Sequence, residues 1–339
     1  MENKKDTIID QNSDFLFVYE ATQCNPNGDP DQENKPRMDY DTQTNLVTDT
    51  RVKRYIRDFL KNEGRSIFVD LEGNSKVSPD TKLKIVLKRT LENRDMLEKA
   101  FADKPEYLAI LDKEHEEAEG NIDKVLNTIA SKGYTNKQVN YHLLAFLVKE
   151  QFLDIRMFGS AFAVAGFTKA YTGPIQLNWG YSLNKVELVE SSSIVTTMND
   201  DSSTFGKDYR LHYSLLAFNG TVNKHAARST GLTEGDLEDF RSAIWQSIPS
   251  LPTRSKMNQY PKLYVELKYN KGFTNGQFGD LRNYVEAKEK NGLGAGKARK
   301  FSDLNVDISK LKKLIAENQG NDKSIAEVII KTAPDFPFD

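Results

Sequence analysis

The stretch "DFLFVYEATQCNPNGDPDQENKPRMDYDTQTNLVTDTRVKRYIRDFL", residues 14–60, combines three contrasting segments. Residues 14–21 are rich in aromatic and branched side chains, which is typical of a strand that is buried on both faces or nearly so. Residues 22–48 are crowded with Asn, Asp, Gly and Pro, each of which favours turns for its own conformational reason. The remainder is basic and amphipathic. The stretch therefore predicts a core strand, a long polar loop and a helix.

The helix should begin at Thr48 or Asp49, because either side chain can cap the first backbone amides. Its apolar residues recur with helical spacing and predict one buried face: Val52, Tyr55, Ile56, Phe59 and Leu60. Beside that face we expect a stripe of cations formed by Lys53, Arg54, Arg57 and Lys61. Such a stripe matches the spacing of phosphates on a nucleic-acid backbone, and helix N-terminal amides also favour phosphate. A solvated helix face remains the alternative.

The middle of the chain contains helical and strand segments in alternation. Residues 82–90, "KLKIVLKRT", are predicted to form a strand at an edge or with a solvent-facing side, and residues 91–150 have a helical pattern that resembles an insertion. The polar stretch 190–210 has strand character on each side of it. It is therefore predicted to be a long hairpin or loop.

A second helix and a final strand follow. Residues 233–248 start with an acidic capping box, Thr233 to Asp236. Residues 262–269, "KLYVELKY", alternate cleanly between two faces. Together the order strand, helix, strands, helix, strand matches the split βαβ arrangement, so the predicted fold class is α+β.

Composition excludes several classes of protein. The chain has 339 residues, of which 38% are hydrophobic and 10% aromatic, as in globular proteins. Its longest nearly apolar run, residues 158–167, is too short to cross a bilayer, and residues 1–14 lack a signal-peptide segment. The single cysteine, Cys24, excludes an intramolecular disulfide framework, and four scattered histidines offer no local metal motif. These features predict a cytoplasmic protein without membrane contact, metal or cofactor.

The net charge of −2 hides an uneven distribution of charge. Residues 92–124 hold eleven acidic and five basic side chains. In contrast, residues 51–65 hold six basic and two acidic side chains, and residues 281–313 hold nine basic and four acidic ones. A nucleic-acid binder usually has a basic footprint, and these two segments supply one.

Catalytic and ligand-binding motifs are incomplete. Residues 291–300, "NGLGAGKARK", lack the first Gly and the Ser or Thr of a phosphate-binding loop. The segment "HEEAE", residues 115–119, lacks the second His of a zinc helix, and the loop from residue 29 lacks the Gly and Glu of a calcium loop. Asp29 and Asp31 could hold Mg²⁺ for phosphodiester cleavage, although acidic residues in such loops are more often turn formers.

A set of motifs in fixed order resembles a known family. These motifs are "NPNGDP", "NKPRMD", "VTDTRVKRYIRD", "DIRMFG", "GPIQLNWGYSLNKVE", "TFGKDYRLHYSLLAFNGTVN" and "RSKMNQ". Over residues 14–270 the chain resembles the CRISPR-associated backbone protein of Cascade complexes, the Cas-seven family, and within it the type I-B group. The aromatic motifs of ordinary RNA-recognition domains are absent, which argues against base stacking on the sheet.

The resemblance implies a modified RNA-recognition-motif (ferredoxin-like) palm with a helical fingers insertion, a thumb hairpin and a web loop. The palm would comprise residues 14–61 and 151–270, with the web loop at 22–48 and the thumb at about 188–212. Residues 62–150 would form the fingers. Residues 271–339 would be a C-terminal extension that completes the palm or packs on it.

The implied function is that of a non-catalytic backbone subunit. Several copies would form a helical filament along the CRISPR RNA and present the guide to the target DNA strand, together with the five-prime-handle, large and small Cascade subunits. The rival is a metal-dependent ribonuclease that uses Asp29 or Asp31. The implied RNA contacts are Asn25, Asn27, Arg51, Lys53, Arg54, Arg57, Arg156, Phe158, Gly159, Arg254, Ser255 and Lys256.

Overall fold

The computed structural model describes residues 4–338 except 70, 73–74, 77, 132, 165–166, 191–192 and 197–203. The tip of the predicted thumb, residues 197–203, therefore lies outside the described residues. The strands in chain order are β1 (Ser13–Thr22), β2 (Gly28–Asp29), β3 (Lys35–Pro36), β4 (Met38–Asp39), β5 (Thr44–Val47), β6 (Leu71–Glu72), β7 (Ser75–Lys76), β8 (Gly159–Val164), β9 (Phe167–Thr172), β10 (Ile175–Leu177), β11 (Gly180–Ser182), β12 (Ser193–Thr196), β13 (Thr204–Lys207), β14 (Tyr213–Val222), β15 (Gln259–Tyr269), β16 (Glu286–Glu289), β17 (Leu304–Asp307) and β18 (Ile325–Thr332).

The helices are α1 (Asp49–Asn62), α2 (Pro79–Leu91), α3 (Arg94–Ala100), α4 (Pro105–Glu117), α5 (Ile122–Ile129), α6 (Lys137–Gln151), α7 (Leu153–Phe158), α8 (Lys224–Thr230), α9 (Glu234–Ser250) and α10 (Ser309–Asn318). The chain divides into two compact units. The helical unit comprises Met1–Ile9, Leu60–Pro174 and His225–Glu238. The sheet unit comprises Asp10–Phe59, Ile175–Lys224 and Asp239–Asp339.

The sheet unit is built on one large sheet in the order β18-β15-β1-β14-β11-β5-β4, with β10 also paired to β14. β1 lies between β14 and β15 and is antiparallel to both. Its burial along almost its whole length explains the unbroken apolar sequence of residues 15–19. The first strand of the sequence is therefore the central strand of the sheet.

Both faces of this sheet are covered. On one face Leu263, Val265 and Leu267 join a core that continues into the C-terminal residues Leu311 and Ile325. The opposite face packs against α9, where the rings of Phe15 and Phe240 lie 5.5 Å apart. The alternation in residues 262–269 thus predicted the strand correctly. The elements that cover the two faces of the sheet are distant from this strand in the sequence.

The helical unit has a hydrophobic core of its own, to which α2, α3, α5 and α6 contribute. The prediction of a strand at 82–90 is wrong, because these residues lie in α2. Their buried positions, Leu83, Leu87 and Leu91, recur every four residues as in a helix. The helix is started by Ser78, whose hydroxyl accepts the Thr81 N–H at 3.1 Å. The compact apolar run obscured this periodicity.

Two segments of the chain have a defined place in the compact units. The helical unit extends to Pro174, so that residues 151–174 belong to the same compact unit as the helices of residues 79–151. Residues 271–339 provide β18, which pairs with β15 and extends the sheet at one edge. Inside the predicted thumb range, β12 and β13 pair as an antiparallel two-stranded sheet. Among the described residues, no helix combines the length and apolar character needed to span a membrane.

Candidate nucleic-acid interface

The polar loop, residues 22–48, is fastened to the start of α1. The side-chain oxygen of Asn27 accepts both the backbone N–H and the hydroxyl of Thr48, each at 2.9 Å. Thr48 in turn accepts the Arg51 N–H through its hydroxyl at 3.3 Å, which identifies Thr48 as the N-cap. Asn27 therefore sets where the helix and its cations begin.

The same loop is joined to the connection at residues 252–258. Asn25 is only 2% exposed, and its backbone N–H donates to the Ser255 carbonyl at 2.9 Å. Its side-chain amide donates to the Asn34 carbonyl at 2.7 Å, and its own carbonyl accepts a hydrogen bond from the Lys256 ammonium. Asn25 and Ser255 thus hold two segments together that are distant in sequence.

This junction brings Arg51 close enough to Lys256 for its positive charge to act on the lysine, and we call these two residues the cation pair. The Arg51 guanidinium lies 3.9 Å from the centre of the Tyr55 ring, and its buried Nε atom has no hydrogen-bond partner among the described residues. Burial, with a further contribution from the positive charge of Arg51, lowers the pKa of Lys256 to about 8. In the described part of the chain, neither cation forms an ion pair with a carboxylate.

The surroundings of the cation pair do not neutralise it. Burial raises the pKa of the Cys24 thiol to about 12, even though Lys256 and Arg210 favour the thiolate. The thiol therefore stays protonated and uncharged at neutral pH. Two partly buried cations that have no carboxylate partner among the described residues are costly in the free protein, and an incoming anion would lower that cost.

The cations along α1 have a different environment. Lys53 pairs with Asp49 at 2.9 Å, and Arg54 pairs with Asp58 at 2.6 Å. Both acids stand four residues from their cation, which is the spacing that joins side chains along a helix. Arg57 is half-buried on the same helix. The basic residues of the predicted stripe therefore all lie on α1, but carboxylates of the same helix neutralise the charges of Lys53 and Arg54.

Arg254 belongs to a second charged cluster. Its side chain is 64% exposed and pairs with Asp208 at 2.6 Å, and Asp208 also pairs with Arg210 at 2.8 Å. Burial alone would raise the pKa of Asp208, but the hydrogen bonds and charges of the two arginines outweigh it and lower the pKa. One carboxylate is thus shared between two arginines.

Glu33 ties the polar loop to the base of the β12–β13 hairpin. Its carboxylate accepts hydrogen bonds from the Lys207 ammonium at 2.8 Å and the Tyr209 hydroxyl at 2.6 Å. The hydrogen bond from Lys207 is the main cause of a lowered pKa for Glu33. Lys35 adds a cation above the Tyr209 ring, 5.1 Å from its centre. The loop and the hairpin base therefore form one connected surface.

The predicted site residues Arg156, Phe158 and Gly159 lie in the helical unit. Arg156 forms two hydrogen bonds to Asp236, at 2.8 and 2.9 Å, and Phe158 is buried. Gly159 has a φ of +70°, and a Cβ atom there would lie 2.1 Å from the Tyr171 carbonyl oxygen. Within the helical unit, Arg156 therefore forms an ion pair, Phe158 packs in the interior, and Gly159 allows a close approach of the backbone.

Asp29 acts as a turn former in the polar loop. Asp29 accepts the Asp31 N–H at 3.2 Å and caps a short 3-10 helix at Pro30–Gln32, and it also contacts Arg37 at 3.3 Å. In the described parts of the chain, no group of three or more His, Cys, Asp or Glu side chains is arranged to hold a metal ion.

Three contributors were not among the predicted site residues. Tyr55 was assigned only to the apolar face of α1, yet its ring supports Arg51. Arg210 donates a hydrogen bond to the Gln23 carbonyl at 2.9 Å, and the Arg37 guanidinium lies over the half-exposed Trp179 ring, 5.8 Å from its centre. The motifs "NKPRMD" and "KDYR" contain both arginines, but only the fold shows what they contact.

A profile of the family "CRISPR-associated protein Cas7" matches residues 11–309. The chain belongs to the Cas7 family. A Cas7 protein of Haloferax volcanii is 30% identical over 308 residues, which cover 88% of this chain and 81% of the relative. The subtype of CRISPR system is not part of that assignment.

Two solved structures are also similar to this Cas7 chain. A chain of a "CRISPR RNA-guided surveillance complex, pre-nicking" has 13% identity and a TM-score of 0.46, with 78% of this chain and 80% of that chain covered. A chain of a "CRISPR RNA-guided surveillance complex" has 10% identity and a TM-score of 0.38, with 78% and 72% covered.

Proposed function

We propose that this Cas7 chain is a backbone subunit of a type I Cascade complex, closest to the type I-B group. Membership of the family supports a role as a Cascade backbone subunit. Several copies assemble into a helical filament along the CRISPR RNA and present the guide for pairing with a target DNA strand. The five-prime-handle, large and small subunits complete the complex. The observation that carries this proposal is the cation pair of Arg51 and Lys256.

The cation pair binds the guide by neutralising its phosphates. Arg51 and Lys256 lack carboxylate partners in the described part of the chain, so an arriving phosphate displaces no internal ion pair. Phosphate contact raises the pKa of Lys256 again and keeps its ammonium charged. Because every nucleotide presents the same phosphate, binding is independent of sequence, and base pairing supplies specificity.

The predicted site residues take two roles in this proposal. Cations contact the sugar-phosphate backbone: Arg51, Lys53, Arg54, Arg57, Arg254 and Lys256. The other residues shape the surfaces from which contacts are made: Asn25, Asn27, Arg156, Phe158, Gly159 and Ser255. Arg51 and Lys256 contribute most, because Lys53, Arg54 and Arg254 are already paired with acids.

The proposed palm consists of the main sheet with α1 and α9. The antiparallel strand order β15-β1-β14, with β10 and β11 beyond β14, supports a ferredoxin-like arrangement. The helices of the helical unit would be the fingers, the β12–β13 hairpin the thumb and the polar loop the web. The bonds of Glu33 to Lys207 and Tyr209 support a web and thumb that act together on the guide.

The decisive experiment compares Arg51→Ala/Lys256→Ala with wild type, each co-expressed with a CRISPR array. We expect the wild type to co-purify with CRISPR RNA, detected on a denaturing gel, and the variant to bind RNA about 100-fold more weakly, since bonds to charged groups contribute roughly 1.5–3 kcal/mol each. The slope of log affinity against log salt should decrease by about 0.7 for each phosphate that the variant no longer neutralises.

Lys288→Ala is the matched control, because it removes one positive charge from a 78% exposed side chain. It should retain wild-type affinity to within about twofold, as expected for a solvated lysine. If the double variant kept wild-type affinity and salt slope while retaining its circular dichroism spectrum, the cation pair would not be the guide-binding site.

We also propose that the subunit is not an enzyme. The bonds of Asp29 to Asp31 and Arg37 support a structural role for this carboxylate. Incubation of the guide-loaded assembly with guide-paired RNA and Mg²⁺ should therefore produce no regularly spaced cuts. Cuts that Asp29→Ala abolished would instead establish the ribonuclease alternative.

A further inference from the structure

A cavity on the surface of the helical unit combines lysine and tyrosine side chains. It has a volume of about 590 Å³ and is lined by residues of α4, α6 and β9 together with Lys104. Its basic side chains are Lys104, Lys137 and Lys169, and its phenol rings are those of Tyr107 and Tyr141. None of the lining side chains is acidic, although the segment 92–124, which contributes to the wall, is strongly acidic in sequence. From this segment, the lining contains Lys104 and Tyr107.

The lysines of this cavity lack carboxylate partners among the residues that the structure describes. Lys169 instead lies above two aromatic rings, with its ammonium 5.5 Å from the centre of the Tyr141 ring and 5.0 Å from that of Tyr171. Lys104 lies 6.0 Å from the centre of the Tyr107 ring. The positive charge at the cavity is therefore available to an anion.

Charges of both signs lie near the cavity: the exposed Asp103 carboxylate is 3.4 Å from the lining side chain of His142, and the other neighbours are basic. Burial and the charge of Lys169 lower the pKa of Lys149 on α6. Lys137 stands at the first turn of α6, where the orphan backbone amides add partial positive charge. The Tyr141 side chain is 36% exposed, so its ring can be reached from solvent.

We propose that this cavity binds one nucleotide of a single-stranded nucleic acid, with the base against the Tyr107 and Tyr141 rings and the phosphates on Lys104, Lys137 and Lys169. Aromatic rings interleaved with unpaired cations are the combination by which proteins hold unpaired bases. Gln138, also in the lining, offers an amide to a base edge. This site is separate from the cation pair and lies in a different compact unit.

The geometry favours a flipped or single-stranded base over intact duplex. The cavity is a concave space whose tyrosines stand among its lysines, whereas an intact duplex presents phosphates and the edges of its bases and keeps the faces of the bases stacked. Stacking on tyrosine is tolerant of base identity, since every base has a π face. The site should therefore show little sequence preference.

The test uses the guide-loaded assembly, in which the guide already occupies its own site. Binding of a short fluorescent single-stranded DNA, unrelated to the guide, is measured by anisotropy for wild type, Lys137→Ala/Lys169→Ala and Tyr141→Leu. We expect the double lysine variant to bind about tenfold or more weakly and to lower the salt slope by about 1.4, which corresponds to two single-strand phosphates.

The tyrosine variant separates stacking from charge. Tyr141→Leu should reduce affinity for the oligonucleotide about tenfold and should not change affinity for an abasic oligonucleotide of equal length. Lys124→Ala is the matched control: it removes an exposed lysine of α5 that does not line the cavity, and it should bind as wild type does.

Several outcomes would overturn the inference. Equal binding of the abasic and normal oligonucleotides, or tighter binding of duplex than of single strand, would show a surface that recognises phosphate alone. Unchanged binding by the lysine variant would exclude the cavity. Guide content is measured in the same preparations; absence of guide from the cavity variants would assign these residues to guide binding and not to a second site.

Discussion

At the scale of single residues, the cation pair shows how function conflicts with stability. Lys256 is held near Arg51 with its pKa lowered to about 8 by burial and by that neighbouring charge. Burial and the charge of Arg51 make the ammonium destabilising in the free protein, and the same environment strengthens its attraction to a phosphate. Replacement of Lys256 by an apolar residue should therefore separate stability from RNA binding.

We predict that Lys256→Met stabilises the RNA-free protein at pH 7 by about 1 kcal/mol and weakens RNA binding. The folded pKa lies below the value of about 10.4 for an unfolded lysine, so the unfolded chain binds more protons between pH 8 and 10. Stability of the wild type should therefore rise with pH in this window, and the advantage of the variant should shrink. Urea denaturation at pH 7, 8, 9 and 10 measures both effects. A variant that is less stable at every pH would contradict the prediction.

Gly159 is a second residue with a defined requirement. Substitution by alanine combines a left-handed φ of +70° with a Cβ position 2.1 Å from the Tyr171 carbonyl oxygen. We expect Gly159→Ala to lower the free energy of unfolding by about 3 kcal/mol or more. Gly64→Ala is the control, because Gly64 has a φ of +81° but no atom within 4 Å of an added Cβ, and it should cost only about 1 kcal/mol. Equal losses of stability would exclude the close approach as the cause.

At the scale of secondary-structure elements, α1 carries its own counter-charges. Asp49 and Asp58 each hold one of its cations at a distance of four residues. Asp49 also stands in the first turn, where a carboxylate stabilises the helix dipole. The helix is therefore less positive toward RNA than its row of basic residues indicates.

We predict that Asp49→Asn/Asp58→Asn raises guide affinity about threefold and steepens the salt dependence, because Lys53 and Arg54 are then released to the phosphates. Asp123→Asn is a suitable control, since it also removes a helix ion pair, that of Lys88, but lies in the helical unit. Affinity should be measured by anisotropy at several salt concentrations. Unchanged affinity in the α1 variant would mean that these two cations do not face the guide.

At the scale of the whole molecule, each compact unit has its own hydrophobic core. In the sheet unit, the core is accompanied by a buried ion pair between Arg241 of α9 and Glu266 of β15, 2.7 Å apart. The carboxylate also accepts hydrogen bonds from Ser13 and Tyr264. Burial alone would raise the pKa of Glu266, but the hydrogen bonds from Arg241, Ser13 and Tyr264 and the charge of Arg241 have the larger effect, so that the pKa is lowered.

We predict that Glu266→Gln destabilises the protein by about 3–5 kcal/mol, because Arg241 is left buried without this counter-charge. The folded pKa is lowered, so this stabilisation is complete above the unfolded value of about 4.3 and is lost as the pH falls through the folded pKa. The variant should therefore show a shallower loss of stability below pH 4 in denaturation experiments. Glu286→Gln, which removes exposed ion pairs, should change stability by less than about 1 kcal/mol.

Sequence alone determined the features that depend on local periodicity and capping. The central strand at 14–21, helix α1, the capping box of Thr233 and Asp236 and the alternation of β15 are all visible in short windows of sequence. The ordered motifs were sufficient to indicate the family. The local interpretation was wrong at α2, where a dense apolar run obscured a helical repeat.

Only the tertiary structure decided which charges meet. Arg51 and Lys256 lie far apart in the sequence, and the hydrogen bonds between the polar loop and residues 252–258 bring their segments together. The same is true of Glu33 with Lys207, and of the lysines and tyrosines around the cavity of the helical unit. Local sequence sets backbone conformation through short-range sterics and hydrogen bonds, whereas the charge left over for a ligand depends on which distant side chains the sheet and the helical core place side by side.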